Sequence, residues 1–322
     1  MSGTAPVPAR RLLQLGALPP DLQRRAASRY ALEPLWTEAE PAQFLAARRG
    51  AFDGAIMMSR HGCPAAVIEC LAAAPRPGVV ACFGVGYDGI DLAAARRHGV
   101  QVSTTPDVLT ECVADTALGL MLACARQLVA ANRHVQGGAW LQGPFPLATR
   151  VSGKRVGIVG LGRIGQAIAR RAGGFDMAVR YHGRSARAGL PYEFEGDLAA
   201  LARWADFLVL ACPGGPQTRH LVSASVLDAL GPEGYLINIA RGSVVDEDAL
   251  VAAIQAGRIA GAGLDVYANE PHVPAGLLGS DRVVTLPHLA ASTRETRHAM
   301  EQLVLDNLAA FFATGKVLTP LA

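Results

Sequence analysis

Lysine is nearly missing from this chain of 322 residues: Lys154 and Lys316 are the only two, and arginine carries almost all the positive charge. Charge of either sign is modest. Only 18% of residues are Asp, Glu, Lys or Arg, the net charge is +3, and the cationic residues are spread rather than blocked. That spacing offers no basic stripe for a nucleic acid partner. No apolar run approaches the roughly 20 residues that span a bilayer, so no membrane partner is expected. Met1 to Arg10 lacks an uninterrupted apolar core, which argues against a secretory leader. The six cysteines (Cys63, Cys70, Cys82, Cys112, Cys124 and Cys212) never stand as C-x-x-C and accompany no histidine cluster. Zinc sites and disulfide frameworks are therefore disfavoured, no metal is expected, and a reduced cytoplasmic compartment fits. No repeat of fixed period and no low-complexity tract interrupts the chain.

Apolar residues, by contrast, make up 51% of the sequence. At roughly 150 residues per domain, the length implies two domains with substantial cores. Short apolar runs alternate with helix-period stretches throughout, the pattern of a parallel α/β sheet. In the first third, strands are expected at Arg11–Leu15, Ala55–Met58, Gly78–Cys82 and Val100–Val102. Helices are expected at Pro20–Arg29, Pro64–Ala72 and Leu92–His98, with Pro75, Pro77, Gly84, Gly86 and Gly89 marking turns. One long helix is predicted from about Val108 to Arg133, capped by Asp107, stopped by Gly137 and Gly138, and apolar enough on all sides to be buried between domains. A second α/β series follows, with strands near Arg155–Val159, Ala178–Tyr181, Phe207–Leu210, Tyr235–Ile239, Ala260–Leu264 and Val283–Thr285. A last helix is expected from about Thr293 to Phe312.

The strand at Arg155–Val159 runs directly into Gly160-Leu161-Gly162-Arg163-Ile164-Gly165 and then into an apolar helical stretch. Strand, glycine turn and helix in that register form a dinucleotide fingerprint. Gly160 permits the turn, Gly162 the approach of a pyrophosphate, and Gly165 close helix–strand packing. The pyrophosphate would lie at the positive end of the helix. A carboxylate about 20 residues further on would hold the ribose of NAD. Here that segment reads His182-Gly183-Arg184-Ser185, with no carboxylate. Arg184, aided by Ser185 and by His182 or Arg187, suits a 2′-phosphate, which points to NADP with NAD as the alternative. A solvated basic loop would look the same.

Further segments carry a family resemblance over almost the whole chain. They are Gly84-Val85-Gly86-Tyr87-Asp88, Thr105 to Thr110, Val113-Ala114-Asp115, the glycine fingerprint, Asn238 to Gly242, Asp265-Val266-Tyr267, Asn269-Glu270-Pro271 and Pro287-His288. In this order and spacing the chain resembles the D-isomer-specific 2-hydroxyacid dehydrogenases. Trp140, Gly143 to Leu147 and Tyr181 to Arg184 are most similar to the bacterial NADPH-dependent glyoxylate/hydroxypyruvate reductases and related hydroxyphenylpyruvate reductases.

The resemblance implies two Rossmann-like α/β domains. A flavodoxin-like substrate domain, residues 1–100 plus 289–322, would receive an inserted doubly wound NAD(P)-binding domain, residues 101–288. The long helix would connect them and build a homodimer interface. It also implies roles. Arg241 would grip the carboxylate and carbonyl oxygens of a 2-oxo acid with its planar fork. His288 would be the acid/base, and Glu270 would orient its ring and favour the protonated form. Val85 and Gly86 would offer backbone N–H groups to the substrate carboxylate. Asp265 would hold the nicotinamide carboxamide, and Thr110, Cys212, Pro213 and Ile239 would line the cofactor. By composition alone, Arg-Gly reads as a turn and Glu-Pro as a helix stop. What favours chemistry is that all three side chains follow strands of one sheet, where such sheets bind ligands.

Two features depart from the family pattern. Leu289-Ala-Ala-Ser-Thr293 replaces the usual Gly/Ser-Ala-Thr, which puts in question a hydrogen bond from the third residue after His288. Arg60-His61-Gly62 is unusually basic, and would either select an anionic substrate or simply be exposed. Neither lysine has a tyrosine four residues before it, which excludes the short-chain dehydrogenase pattern. Glu270 stands where formate dehydrogenases carry Gln. Phosphoglycerate dehydrogenases often add a regulatory domain, whereas this chain ends after its last helix. A redox-sensing binding protein of the same fold would keep the same three residues, so they do not exclude it. Trp140 and Phe145 fit closure over hydroxypyruvate or glyoxylate, acceptance of an aromatic ring as in hydroxyphenylpyruvate, or plain packing of a proline loop.

Overall fold

The computed structural model describes residues 10–75 and 78–321. The turn expected at Pro77 and the reading of Met1 to Ala9 fall outside the described residues. Two compact units emerge, one from residues up to Leu109 plus those from Arg294 onward, the other Thr110–Thr293.

The first unit runs β1 (Arg11–Gln14), α1 (Pro20–Ala27), β2 (Ala31–Pro34), α2 (Pro41–Ala47), β3 (Gly54–Met58), α3 (Ala65–Ala72), β4 (Val79–Phe83), α4 (Leu92–His98) and β5 (Gln101–Ser103). Its sheet has the order β2-β1-β3-β4-β5, every pair parallel. This is the flavodoxin-like doubly wound order. Strand β4 is buried along its whole length and β3 nearly so, as befits central strands with helices on both faces. Strand β2, the edge, is only partly buried and ends in Pro34. With so little apolar signal, it and α2 escaped sequence reasoning.

The second unit runs α5 (Thr110–Ala125), α6 (Leu128–Gln136), β6 (Arg155–Val159), α7 (Arg163–Gly173), β7 (Ala178–His182), β8 (Glu193–Phe194), α8 (Leu198–Trp204), β9 (Phe207–Leu210), α9 (Ala224–Leu230), β10 (Tyr235–Asn238), α10 (Glu247–Gln255), β11 (Gly261–Leu264) and β12 (Val283–Thr285). The chain then re-enters the first unit as α11 (Arg294–Thr314), which packs against β4. The second sheet has the order β12-β11-β10-β9-β6-β7-β8, again wholly parallel. Strand order reverses between β6 and β9, and ligands bind such sheets at that point, beyond the carboxyl ends of the strands.

Two expectations need correction. The boundaries lie at 109/110 and 293/294 rather than 100/101 and 288/289. Strand β5 pairs with β4, and the backbone of Leu289 and Ala290 is tied to Asp265, so each segment stays with its partner. The single long helix is two helices bent by 58°. Gln127 adopts a left-handed conformation (φ 50°) and ends the first of them. Asp107, itself at φ 68°, lies three residues before the first helical residue rather than at the cap. Helix α5 is a core helix of the second unit, packed on α7, β10 and β11. Helix α6 buries only Ala130. No single helix among the described residues is long and apolar enough to cross a membrane.

Candidate active site

The chemistry-bearing residues of the second unit share one address. The glycine turn follows β6, His182 ends β7 and Arg184 and Ser185 follow it. Cys212 and Pro213 follow β9, Ile239 and Arg241 follow β10, Asp265 follows β11, and His288 follows β12. All stand at the carboxyl edge of one parallel sheet. Thr110, the first residue of α5, belongs to the same unit.

The glycine turn has the shape a diphosphate needs. Gly160 sits at φ 95°, and a Cβ there would come within 2.7 Å of the Cys212 backbone. At Gly165 a Cβ would lie 2.2 Å from the Gly160 carbonyl oxygen, so only glycine lets α7 approach the turn. Gly162 is the opposite case, because a Cβ there would meet no atom within 4 Å. Any side chain at Gly162 would fill the space over the start of α7. No side chain caps that helix and no acidic residue stands in its first turn, so its N–H groups suit an anion. Leu161, Arg163 and Ile164 complete the turn. The residues present therefore fit a dinucleotide.

Beyond β7, His182 Nδ1 donates to the Glu195 carbonyl at 3.0 Å, which fixes the ring. Arg187 donates from its backbone to the Tyr181 hydroxyl at 2.7 Å and from its guanidinium to the Leu161 carbonyl at 2.6 Å. The basic loop is thus fastened to the glycine turn, with Arg184 and Ser185 exposed beside it. Sequence reasoning ranked Arg187 behind Arg184. Only the fold reveals its link to Leu161.

His288 and Glu270 are brought together. His288 Nδ1 and Glu270 Oε2 are 2.8 Å apart, and Glu270 Oε1 accepts from the Tyr267 N–H at 3.2 Å. Burial opposes the Glu270 charge, but the His288 hydrogen bond and charge, the Tyr267 N–H and the Arg241 guanidinium outweigh it. They hold its carboxyl below the ordinary glutamate range. His288 itself is at φ 53°, a left-handed conformation that costs a non-glycine residue about 1–2 kcal/mol.

Several supporting residues are visible only in three dimensions. Both oxygens of the buried Asp265 carboxylate accept backbone N–H groups, from Leu289 at 2.7 Å and Ala290 at 3.0 Å. Burial nonetheless pushes its carboxyl above the usual aspartate range. Tyr267 shares its hydroxyl proton between the Leu264 and Leu286 carbonyls (3.2 and 3.1 Å), joining the ends of β11 and β12. Burial and the Asp265 charge push that phenol up to about 12, so it remains a donor. Asn238, also buried, accepts from the Ala240 N–H and donates to the Arg241 carbonyl, each at 3.0 Å, shaping the turn that presents Arg241. The Arg241 guanidinium donates to the Ala240 carbonyl at 2.7 Å. Gly242 is indispensable there, since a Cβ would fall 1.9 Å from the Tyr267 carbonyl carbon. Burial pushes the Cys212 thiol up to about 11, which keeps it neutral.

Val85 and Gly86 follow β4 in the first unit, behind a turn closed by Gly84 N–H to Thr105 Oγ1 at 3.1 Å. In the same unit Arg60 is exposed, while the His61 ring lies on Gly16 and accepts the Met58 N–H at 3.3 Å. Burial and the Arg60 charge push His61 below its ordinary range, so that segment is less basic than its composition suggests. Trp140 is 66% exposed, and Phe145 meets the edge of the His134 ring at 5.4 Å.

The family model described as "D-isomer specific 2-hydroxyacid dehydrogenase, NAD binding domain" matches residues 118–290. The chain is 45% identical over 299 residues to hydroxyphenylpyruvate reductase of Plectranthus scutellarioides, covering 93% of this chain and 95% of that one. Identity and coverage are the same for glyoxylate/hydroxypyruvate reductase A of Arabidopsis thaliana. Among solved structures, an NADPH-dependent glyoxylate/hydroxypyruvate reductase from Sinorhizobium meliloti, in complex with NADP and malonate, is 43% identical with a TM-score of 0.89, covering 98% of this chain and 97% of that one. Parallel sheets in both units, a glycine turn built for a diphosphate, a formed His–Glu pair and these likenesses agree: the chain belongs to the D-isomer-specific 2-hydroxyacid dehydrogenase family.

Proposed function

We propose that this protein reduces a small 2-oxo acid, hydroxypyruvate or glyoxylate, to the D-2-hydroxy acid with NADPH. The observation that carries the reading is the 2.8 Å contact of His288 with Glu270, on loops of the sheet that also presents Arg241 and the glycine turn. The glycine turn would hold the diphosphate of the reduced dinucleotide, which would supply the hydride when bound. Arg241 binds the carboxylate and polarises the ketone, its charge countering the negative charge that develops on oxygen. His288 gives its proton to that oxygen, and Glu270 steadies the imidazolium before the transfer. Asp265 contributes to the nicotinamide carboxamide.

Preference for NADPH over NAD(H) rests on the loop after β7, which has Arg184, Ser185 and Arg187 and no carboxylate before Glu193. The protein acts as a homodimer in the cytoplasm. Leu128, Val129, Val135, Trp140, Leu141 and Leu147 form the exposed apolar set that a second copy would cover. A panel of 2-oxo acids that includes hydroxyphenylpyruvate, assayed with NADPH and NADH, tests the whole reading. The expected order places hydroxypyruvate and glyoxylate first, with NADPH preferred. Turnover confined to the aromatic acid would transfer the assignment to that substrate, and no turnover of any 2-oxo acid would overturn it.

A further inference from the structure

One more carboxylate holds the backbone of the turn that carries Glu270. Glu247 is the first residue of α10, with Asp246 as its N-cap. Its Oε1 accepts the Ala268 N–H at 2.8 Å. Ala268 follows Tyr267, whose N–H is held by Glu270 itself at 3.2 Å. Two successive N–H groups of one turn are therefore claimed by two carboxylates, one on α10 and one in the reactive pair. The Arg241–Gly242 turn presses on the same backbone, with the Gly242 Cα so close that a Cβ would lie 2.1 Å from the Ala268 nitrogen. The segment that carries Glu270 is thus clamped between α10 and the loop that carries Arg241.

Charge adds to the geometry. Glu247 is faced by Asp248 on its own helix, by Glu270 across the turn and by His220 on the loop after β9. Glu270 in turn faces His288 and Arg241, and Asp265 faces His288 and Glu270. Burial and the like charges of Asp248 and Glu270 make ionisation of Glu247 harder, while the Ala268 N–H and His220 favour it. A negative Glu247 repels the negative Glu270, and that cost falls when Glu270 is matched by a positive imidazolium.

We propose that Glu247 is a positioning residue for the reduction, holding the Tyr267–Glu270 turn through Ala268 and favouring the proton-loaded state of the Glu270–His288 pair. Its hydrogen bond goes to the Ala268 backbone, so it acts through the turn. The proposal rests on the acid–base reading above, and glutamine separates its two parts. Glu247→Gln keeps an oxygen for the Ala268 N–H and removes the charge, whereas Glu247→Ala removes both.

The test is the pH profile of kcat for 2-oxo acid reduction, with an NMR titration of the His288 ring in the same proteins. Reduction needs the protonated ring, so activity falls as pH rises. With Glu247→Gln the pH of half-maximal kcat should move down by about half a unit, the size of a single screened charge. KM for NADPH should stay unchanged. Glu247→Ala should show the same shift plus a several-fold lower kcat. A Gln variant whose kinetic profile and ring titration both overlay the wild type overturns the proposal. Loss of all turnover in the wild type would sink the acid–base reading instead, and the ring titration would still report on Glu247.

Discussion

Asp265 holds His288 and the two residues after it by three hydrogen bonds. The His288 N–H donates to the Asp265 carbonyl at 2.8 Å, and the next two backbone N–H groups go to the two oxygens of the Asp265 side chain. The left-handed backbone of His288 is held in place by that grip. Asp265→Asn would replace one acceptor with a donor and release part of the loop. We expect kcat to fall about tenfold to a hundredfold, consistent with losing one charge-assisted hydrogen bond, with NADPH affinity changing less. An Asn variant with wild-type kcat would show that the loop needs no such anchor.

The reactive pair makes a sharper prediction. His288→Ala should lower kcat by about a hundredfold to ten-thousandfold while NADPH still binds, the range that general acid catalysis contributes. Glu270→Gln should cost less, since the ring remains. Fluorescence titration with NADPH beside steady-state rates would check both, and near-normal turnover of the alanine variant would remove His288 from the mechanism.

Acid should spare the pair for longer than an ordinary carboxylate. Glu270 is held below the usual glutamate range of about 4.3. As pH falls, its charge persists past that point, and any loss of kcat from its protonation sets in only lower. On acidification, a steep fall in kcat that is already complete before pH 5 is reached, in protein shown by circular dichroism to be folded, would contradict the arrangement.

Cofactor choice is testable at the end of β7. Arg184→Asp should shift the ratio of kcat/KM toward NADH by about tenfold or more, through loss of a charge-assisted contact and gain of a ribose acceptor. An unchanged ratio would assign Arg184 to the solvent.

Two further changes address the scaffold. Gly242→Ala must displace the Tyr267–Ala268 backbone, and we expect roughly 3 kcal/mol of destabilisation in urea unfolding together with lost activity. Asp206 joins the starts of β6 and β9 by accepting the Arg155 N–H at 2.8 Å and its guanidinium at 3.1 and 3.0 Å. Burial works against the Asp206 charge, yet these bonds hold its carboxyl below the ordinary range. Its stabilisation is therefore present above the unfolded value and is lost as pH falls through the folded one. Asp206→Asn should cost about 1 kcal/mol at neutral pH, discounted for the exposure of Arg155, and nothing in strong acid. Equal unfolding midpoints at neutral pH would refute the pairing.

What the sequence settled by itself was the local grammar. Strands β6, β9 and β12 are apolar runs flanked by turn residues, and their limits were legible to the residue, as was the glycine turn that must follow β6. Arg241, Glu270 and His288 were singled out through the family resemblance, supported by their places after strands of one sheet. Only the tertiary structure decided what depends on residues distant in sequence. The break at Gln127 is a matter of backbone conformation that apolar periodicity does not encode. The grip of Asp265 on the loop after His288, the nearness of Gly242 to Tyr267, and the reach of Glu247 to Ala268 join segments about 20 residues or more apart. Periodicity reports which face of an element is buried. It carries no information about which loop ends converge, because that is set by strand order in the sheet.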